Sequence, residues 1–357
     1  VPILAVIVHE HGLANLPYVT ILAALFLVAF ALIGIGKYIR KVPESIVLGF
    51  TAGVAVVIFC SQLNSFLGLS GITGHEHFAG KFAETVTHLF TANLPTIIVG
   101  AMSLAIILTA HRIRAIGKIP ATLLAVVFCS LLVYFVPGFN SVTTLGGAYG
   151  SLPLGFPDFV GGKLDFSMLL ERELWLPALK VAGLIAIESL LCAVVADRLT
   201  STRHRSNQEL FAQGAANLGS AFFGGIPATG VIARTGTIIK TGAATRVASM
   251  IHALVVVIFV VALAPLAAKI PLPVLSAVLL VTAVKISEYK EVRRFIAEKS
   301  WRLGAVLGVT MLLTIFTDLV MGVGAGLILH LAFAAHDKLK TYRDKDGPIR
   351  LSEDEVL

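Results

Sequence analysis

Two charged residues stand where water should be scarce. Glu188 lies in VAGLIAIESLLCAVVAD, near the middle of an apolar stretch, and Arg234 lies in GVIARTGTII, at the start of another. A carboxylate inside a membrane-length apolar segment is costly, and it marks function by default. Desolvation and a nearby cation act on such a group in opposite senses, so it can take up and release a proton in each working cycle. A structural pair between Glu188 and Arg234, with no proton traffic, is the other reading, and the residues alone leave both open.

Arg234 belongs to an interrupted segment, GGIPATGVIARTGTIIKTGAATR, residues 224–246. Gly224, Gly225 and Pro227 forbid a smooth helix at its start. Ile226 to Thr229 reads as a short extended piece. Gly230 then opens an apolar run too short to span a bilayer. A helix beginning partway through a membrane presents free N–H groups and a partial positive charge. Arg234 adds a full charge, so the spot suits an anion. The bland alternative is a re-entrant loop that only packs.

Other polar residues are weaker candidates. Asp197, beside Arg198, ends the Glu188 segment and reads as an interface residue. Gln208, Gln213 and Asn217 have helical spacing and read as ties to neighbouring helices. His9-Glu10-His11 and His75-Glu76-His77 repeat a pattern that could ligate a metal. No third ligand is fixed, so solvation is the expectation and no metal or other cofactor is assigned. His252 and His330 read as packing residues rather than relays; Phe222 and Phe223, beside the interrupted segment, read either as pocket lining or, more blandly, as aromatic packing. Cys60, Cys129 and Cys192 all sit in apolar runs, with neither metal nor disulfide spacing. No nucleophile elbow, phosphate loop or dinucleotide fingerprint occurs, so an enzyme is not expected.

The elements that must hold these residues are apolar spans. The chain has 357 residues, 57% of them hydrophobic and 14% charged, with mean hydropathy +0.89. That composition excludes an ordinary soluble domain. Apolar runs recur at 17–36, 44–62, 94–111, 119–136, 176–196, 207–223, 230–240, 246–268, 272–286, 303–318 and 320–335, after a tail at 1–8. Most approach the roughly 17–25 residues a bilayer needs. Connections 63–93 and 138–175 are the long polar exceptions. KEVRRFIAEK, residues 290–299, reads as a solvated interfacial helix.

The net charge of +7 is a topology signal rather than a sign of nucleic acid. Lys and Arg crowd one alternating set of connections, around 37–41, 112–118, 198–205, 240–246 and 285–302, and the tail from Lys338. The other set holds only Lys81, Lys163, Arg172, Lys180 and Lys269. The basic set, with the C-terminus, is expected to be cytoplasmic in a multi-pass cell (inner) membrane protein. Lys41-Val42-Pro43 and Lys269-Ile270-Pro271 open similar segments on opposite sides by this count. One pattern facing both ways indicates an inverted repeat. Gly12 and Gly242 follow the tail at 1–8 and the short helix at a similar offset.

At ESLLCAVVADRLT (188–200), SNQELFAQGAANLGSAFFGGIPATGVIART (206–235) and IHALVVVIFVVALAPLAAKIPLPVLSAVLL (251–280), the chain resembles the SulP/SLC26 anion transporter family. The resemblance is to its bacterial sulfate permease and C4-dicarboxylate transporter type. It implies an all-α polytopic membrane protein with the 7+7 inverted-repeat (UraA/SLC26-like) transporter fold, of which about 11–12 segments are present. On that map residues 1–41 and 175–268 belong to a core domain, and 42–137 and 269–337 to a gate domain. Residues 138–174 form an extracellular loop, and 338–357 lead toward a cytoplasmic STAS domain. The chain then reads as a fragment starting late in the third segment, without the half-helix opening that faces residues 230–240.

The resemblance also implies site residues. The anion is expected over the amides of Gly230, Val231 and Ile232, with Ala233 and Arg234 beside it. The acidic position of the eighth segment falls on Glu188. Sodium-coupled bicarbonate members carry hydroxyls at positions that fall on Cys192 and Ile232, which have none; that favours proton coupling. The expected function is proton-coupled symport of sulfate or a related inorganic or carboxylate anion by alternating access. A C4-dicarboxylate or bicarbonate transporter and an uncoupled anion channel remain alternatives. Expected partners are the anion, protons, the lipid bilayer and a second copy in a homodimer, with no nucleic acid.

Overall fold

The computed structural model describes residues 2–72, 75, 78–110, 119–150, 155–240, 242–298, 300–317 and 319–345. Within them the chain is helical, and its one β-type pairing is an isolated bridge between Thr144 and Pro271. The helices are α1 (Pro2–His11), α2 (Leu16–Ile33), α3 (Glu44–Leu67), α4 (Phe78–Thr87), α5 (Leu94–Thr109) and α6 (Ala121–Phe135). They continue with α7 (Leu145–Tyr149), α8 (Arg172–Thr200), α9 (Ser206–Phe222), α10 (Ile232–Lys240) and α11 (Val247–Ala267). The last are α12 (Leu272–Ile286), α13 (Tyr289–Glu298), α14 (Trp301–Phe316) and α15 (Leu319–Lys345). Among the described residues five helical stretches are long and apolar enough to cross a membrane, and four shorter apolar helices accompany them.

Side-chain packing sorts most helices into two groups. In the first, α2 lies against α8 and α9, and α10 lies along α8. Its core joins Ile7, Val19, Leu22 and Leu27 to Val181, Ile185, Leu190 and Leu210. In the second, α3 packs on α12, α14 and α15, while α12 packs on α5 and α6. Exchanging α3 with α12, α5 with α14 and α6 with α15 reproduces these neighbours. The expected repeat is visible at its joints too. Pro43 precedes α3 at φ −63°, ψ 147°, and Pro271 precedes α12 at φ −68°, ψ 136°. In each case the ring presets an extended residue that launches a helix. Gly12 after α1 and Gly242 after α10 both take positive φ, +80° and +98°.

Glycine sets the closest contact of the second group. Gly49 and Gly53 of α3 face α14, where an added Cβ would stand 2.5 Å from the Leu307 carbonyl oxygen and 2.9 Å from Thr314 Cβ respectively. Gly322 and Gly326 of α15 press on Thr314 and Thr310 from the other side. Both pairs have the four-residue spacing that lets membrane helices approach backbone to backbone. Thr310 and Thr314 are buried between them.

The connections hold more structure than their polarity suggests. The amphipathic α4 forms inside 63–93, its Phe78 stacked on Phe82. The 138–174 connection carries α7, and it donates from Leu145 and Gly146 to the carbonyls of Ile270 and Ala268 (2.8 and 2.7 Å). The α13 helix matches the expected interfacial segment, and α15 extends ten residues past the apolar run that ends at 335. Residues 112–118, Glu76, His77, Lys299 and 346–357 lie outside the described residues, as does the side chain of His9. By contrast α11 leaves most of its side chains open, burying Ala264 and Ala267. A helix apolar on every side and uncovered by protein suits a lipid surround.

Candidate functional site

The site begins where α9 stops. Gly224 takes φ +66° and donates to Ala221 O (3.0 Å), while Gly225 donates to Ser220 O (2.8 Å). A left-handed glycine ends a helix cheaply because it has no Cβ to clash. The chain then runs extended, and side chains supply the hydrogen bonds that a helix would have supplied. Asn217, 1% exposed, donates from Nδ2 to Ala228 O (2.9 Å) and accepts Ala228 N at Oδ1 (2.7 Å). This amide thus pairs with one residue of backbone as a neighbouring strand would. Ser220 Oγ donates to Ile226 O (3.1 Å).

Helix α8 completes the support. Ser189 Oγ accepts the Gly230 N–H (3.1 Å) and lies 2.9 Å from Thr229 Oγ1. One turn further, Cys192 Sγ donates to Thr235 Oγ1 (3.1 Å). Thr235 N donates to Val231 O (3.0 Å), which makes Thr235 the first residue of α10 with a backbone acceptor inside the helix. The amides of Ile232, Ala233 and Arg234 open that first turn and have none within it. They carry the positive end of the helix dipole.

This geometry places each expected residue. The interrupted segment forms as read, with an extended lead and a short helix. Gly230 differs in one respect: its N–H is engaged by Ser189, so the open donors begin further along, in the first turn of α10. Gly230 also packs on α8, where an added Cβ would lie 3.5 Å from Cys192 Cβ, an ordinary contact. Val231 is 40% exposed. Ile232 and Ala233 enter as backbone, their side chains lying outside the described residues. Arg234 is exposed. Thr235 faces α8, and at about 100° per residue its neighbour Arg234 is turned off that face.

Glu188 is half-buried. Around α8 it sits about 40° from Cys192, on the side that carries the α10 contact. Among the described residues its carboxylate forms neither a hydrogen bond nor an ion pair, and Arg234 does not pair with it; the ion pairs formed there involve Glu10, Glu84, Asp197, Glu291 and Glu298. The structural Glu188–Arg234 pair is therefore not formed. Asn217 was legible as a polar tie, but its grip on Ala228 was not. The signal for Ser189 and Cys192 was their i, i+3 spacing beside Glu188 on α8.

A second polar cluster lies at the other end of α8. Asp197 Oδ2 is 2.7 Å from His204 Nδ1 and accepts the His204 N–H (3.0 Å). His204 Nε2 is 3.0 Å from Ser206 Oγ. The bonding order is that of an Asp–His–Ser triad, but Ser206 is 7% exposed and packs under the chain at Gly36. The cluster fastens the α8–α9 turn. Elsewhere, Gln213 donates to Glu209 (3.0 Å), and Gln208 and His252 are exposed while His330 is half-buried. Phe222 and Phe223 pack on Phe159 of the 138–174 connection. His75 lies 3.9 Å from Glu84 and His11 3.8 Å from Glu10; among the described residues no three such side chains converge as a metal site.

The sequence profile described as the sulfate permease family matches residues 3–307. A putative sulfate transporter of Bacillus subtilis, YvdB, is 38% identical over 93% of this chain and 62% of its own length. The bicarbonate transporter BicA of Picosynechococcus is 30% identical over 97% of this chain and 61% of its own. The chain thus spans a little over 60% of the length of these relatives. Among solved structures, the transmembrane domain of a cyanobacterial bicarbonate transporter BicA superposes with TM-score 0.69 at 28% identity, covering 88% of this chain and 78% of that one. The murine Solute Carrier 26 family member A9 anion transporter, in its inward-facing state, shares the fold with TM-score 0.76 at 20% identity, covering 92% of this chain and 53% of that one.

Proposed function

The chain belongs to the sulfate permease family, and on that premise we propose that the protein is a secondary active anion transporter that couples uptake to protons. The observation that carries this reading is the junction of an extended lead, a short helix with open first-turn amides and, on the adjoining helix, a half-buried carboxylate without a partner among the described residues. The anion lies over the first turn of α10, held by the amides of Ile232, Ala233 and Arg234 and by the Arg234 charge, with Val231 beside it. Gly230 shapes the approach, its own N–H held by Ser189. Glu188 takes a proton while the pocket faces one side and releases it on the other.

The two packing groups suit a mechanism of relative motion. The group with α8, α9 and α10 carries the pocket as a core, corresponding to 1–41 and 175–268. The group with α3, α12 and α14 acts as a gate, corresponding to 42–137 and 269–337. Rocking of one against the other exposes the pocket alternately. The basic connections and the C-terminus face the cytoplasm, and the protein works as a homodimer in the inner membrane. Sulfate is the first substrate to test, given the relatives' names, with bicarbonate and C4-dicarboxylates next.

The binding half of this proposal is tested by titrating sulfate, bicarbonate and succinate against the purified protein and its Arg234→Ala variant. Loss of a charge-assisted hydrogen bond removes about 1.5–3 kcal/mol, so affinity for the preferred anion should fall at least tenfold. Unchanged affinity would assign Arg234 to the surface.

A further inference from the structure

A cleft of about 480 Å³ opens between α3, α13 and α14, apart from the site above. Ala52, Val56 and Met311 form its apolar floor, Val292 and Ile296 of α13 its roof, and Arg293 stands at its rim. The volume falls within the roughly 300–1,000 Å³ of pockets that hold small ligands. Phe295, buried against Leu48 and Leu307, pins α13 beside the cleft. The chain enters α13 through Glu288 at φ +45°, a conformation uncommon for any residue but glycine.

The surroundings say which ligand the cleft fits. Arg294 engages both acids of α13, Glu291 at 3.9 Å and Glu298 at 3.1 Å. Lys290 lies against the Tyr289 ring. Arg293 is exposed and, among the described residues, has no ion pair. Tyr289 (57% exposed) and Trp301 (72% exposed) flank α13, in the manner of aromatic anchors at a membrane interface. An amphipathic helix with uncompensated cations on one side and an apolar cleft under the other meets the two ends of an anionic lipid.

We propose that this cleft binds one acyl chain of an anionic phospholipid whose headgroup rests on Arg293. The lipid fills the space beneath α13 and so fixes the α12–α13 turn against α3 and α14. The site is independent of the anion pocket and of the transport reading.

The test counts lipids that stay bound to the purified protein by native mass spectrometry, after exchange into phosphatidylglycerol or phosphatidylcholine. One phosphatidylglycerol is expected to be retained in preference to phosphatidylcholine. Arg293→Gln should weaken it about fivefold, the worth of one basic residue near an anionic surface. Ile296→Trp, at a 58% exposed position, should block the cleft and abolish retention while the melting temperature holds. Equal retention of both lipids, or wild-type retention in both variants, overturns the proposal. So does displacement of the lipid by glycerol phosphate alone, which would mark a phosphate site without a chain. A change of oligomeric state in Ile296→Trp with retention unchanged would also overturn it, by assigning the cleft to a second copy.

Discussion

Two regions bring a helix unusually close to its neighbours, and they do so by opposite means. Around α14, glycines at 49, 53, 322 and 326 remove side chains so that backbones touch. Around α10, side chains are kept and used: Asn217, Ser189 and Cys192 each hold an atom of residues 228–235. Packing of the first kind leaves no room, and it closes over the buried Thr314 hydroxyl without giving it a partner among the described residues. Tethering of the second kind fixes a stretch of backbone while its next few amides stay open. The contrast suits the proposed division between a binding pocket beside α10 and a rigid support beside α14.

The largest effect is expected where packing is tightest. Gly49→Val puts new atoms against the Leu307 carbonyl, and overpacking of this kind costs about 1–3 kcal/mol or more. Melting of the purified protein should drop sharply, and a variant that melts like wild type would refute close packing as the basis of that region. Asn217→Ala comes next. It strips the N–H and C=O of the exposed Ala228 of their partners, and each such bond lost costs about 0.5–1.5 kcal/mol net. Anion affinity should fall with stability here, whereas Gly49→Val should change stability foremost. If Asn217→Ala bound anion normally, the tether would be irrelevant to the pocket.

Ser189→Ala sharpens the comparison further. It releases the Gly230 N–H at a net cost of about 1 kcal/mol, so a modest shift in anion affinity with little change in melting is expected. A loss of folded protein as large as for Gly49→Val would make the two regions alike. The smallest effect belongs to the loop outside both. The side chain and amide of Ser167 hold the exposed Asp165 carboxyl below its ordinary value of 3.8. Its contribution is present above that pH and fades as pH falls through the lowered value. Asp165→Asn keeps an acceptor for the Ser167 N–H and loses only this small charge-dependent contribution, so neutral-pH melting should fall slightly at most and uptake should hold; a marked loss of either would give the loop a larger role.

Much of this was legible from the residues. Gly224, Gly225 and Pro227 announced the break, because two of these residues lack a Cβ and the third lacks an N–H. The apolar runs marked nearly every helix within a few residues, and the repeated Lys-x-Pro openings marked equivalent joints. What the sequence concealed depends on distance along the chain. Asn217 and Ala228 are eleven residues apart and Ser189 and Gly230 forty-one, so no local pattern pairs them. The α4 helix was hidden by its polarity, since an amphipathic turn over a membrane surface has the composition of a loop. Arg234 read as deep because its segment is apolar; that its side chain is uncovered by protein follows from which side of a short helix it occupies.

The central proposal is that Glu188, without a partner among the described residues and on the helix face beside α10, carries the coupled proton. Its direct test is uptake into proteoliposomes driven by an imposed pH gradient, comparing wild type with Glu188→Gln. The account predicts that the variant still binds the anion and exchanges it across the membrane, yet no longer accumulates it in response to the gradient. Wild-type accumulation by Glu188→Gln would contradict it.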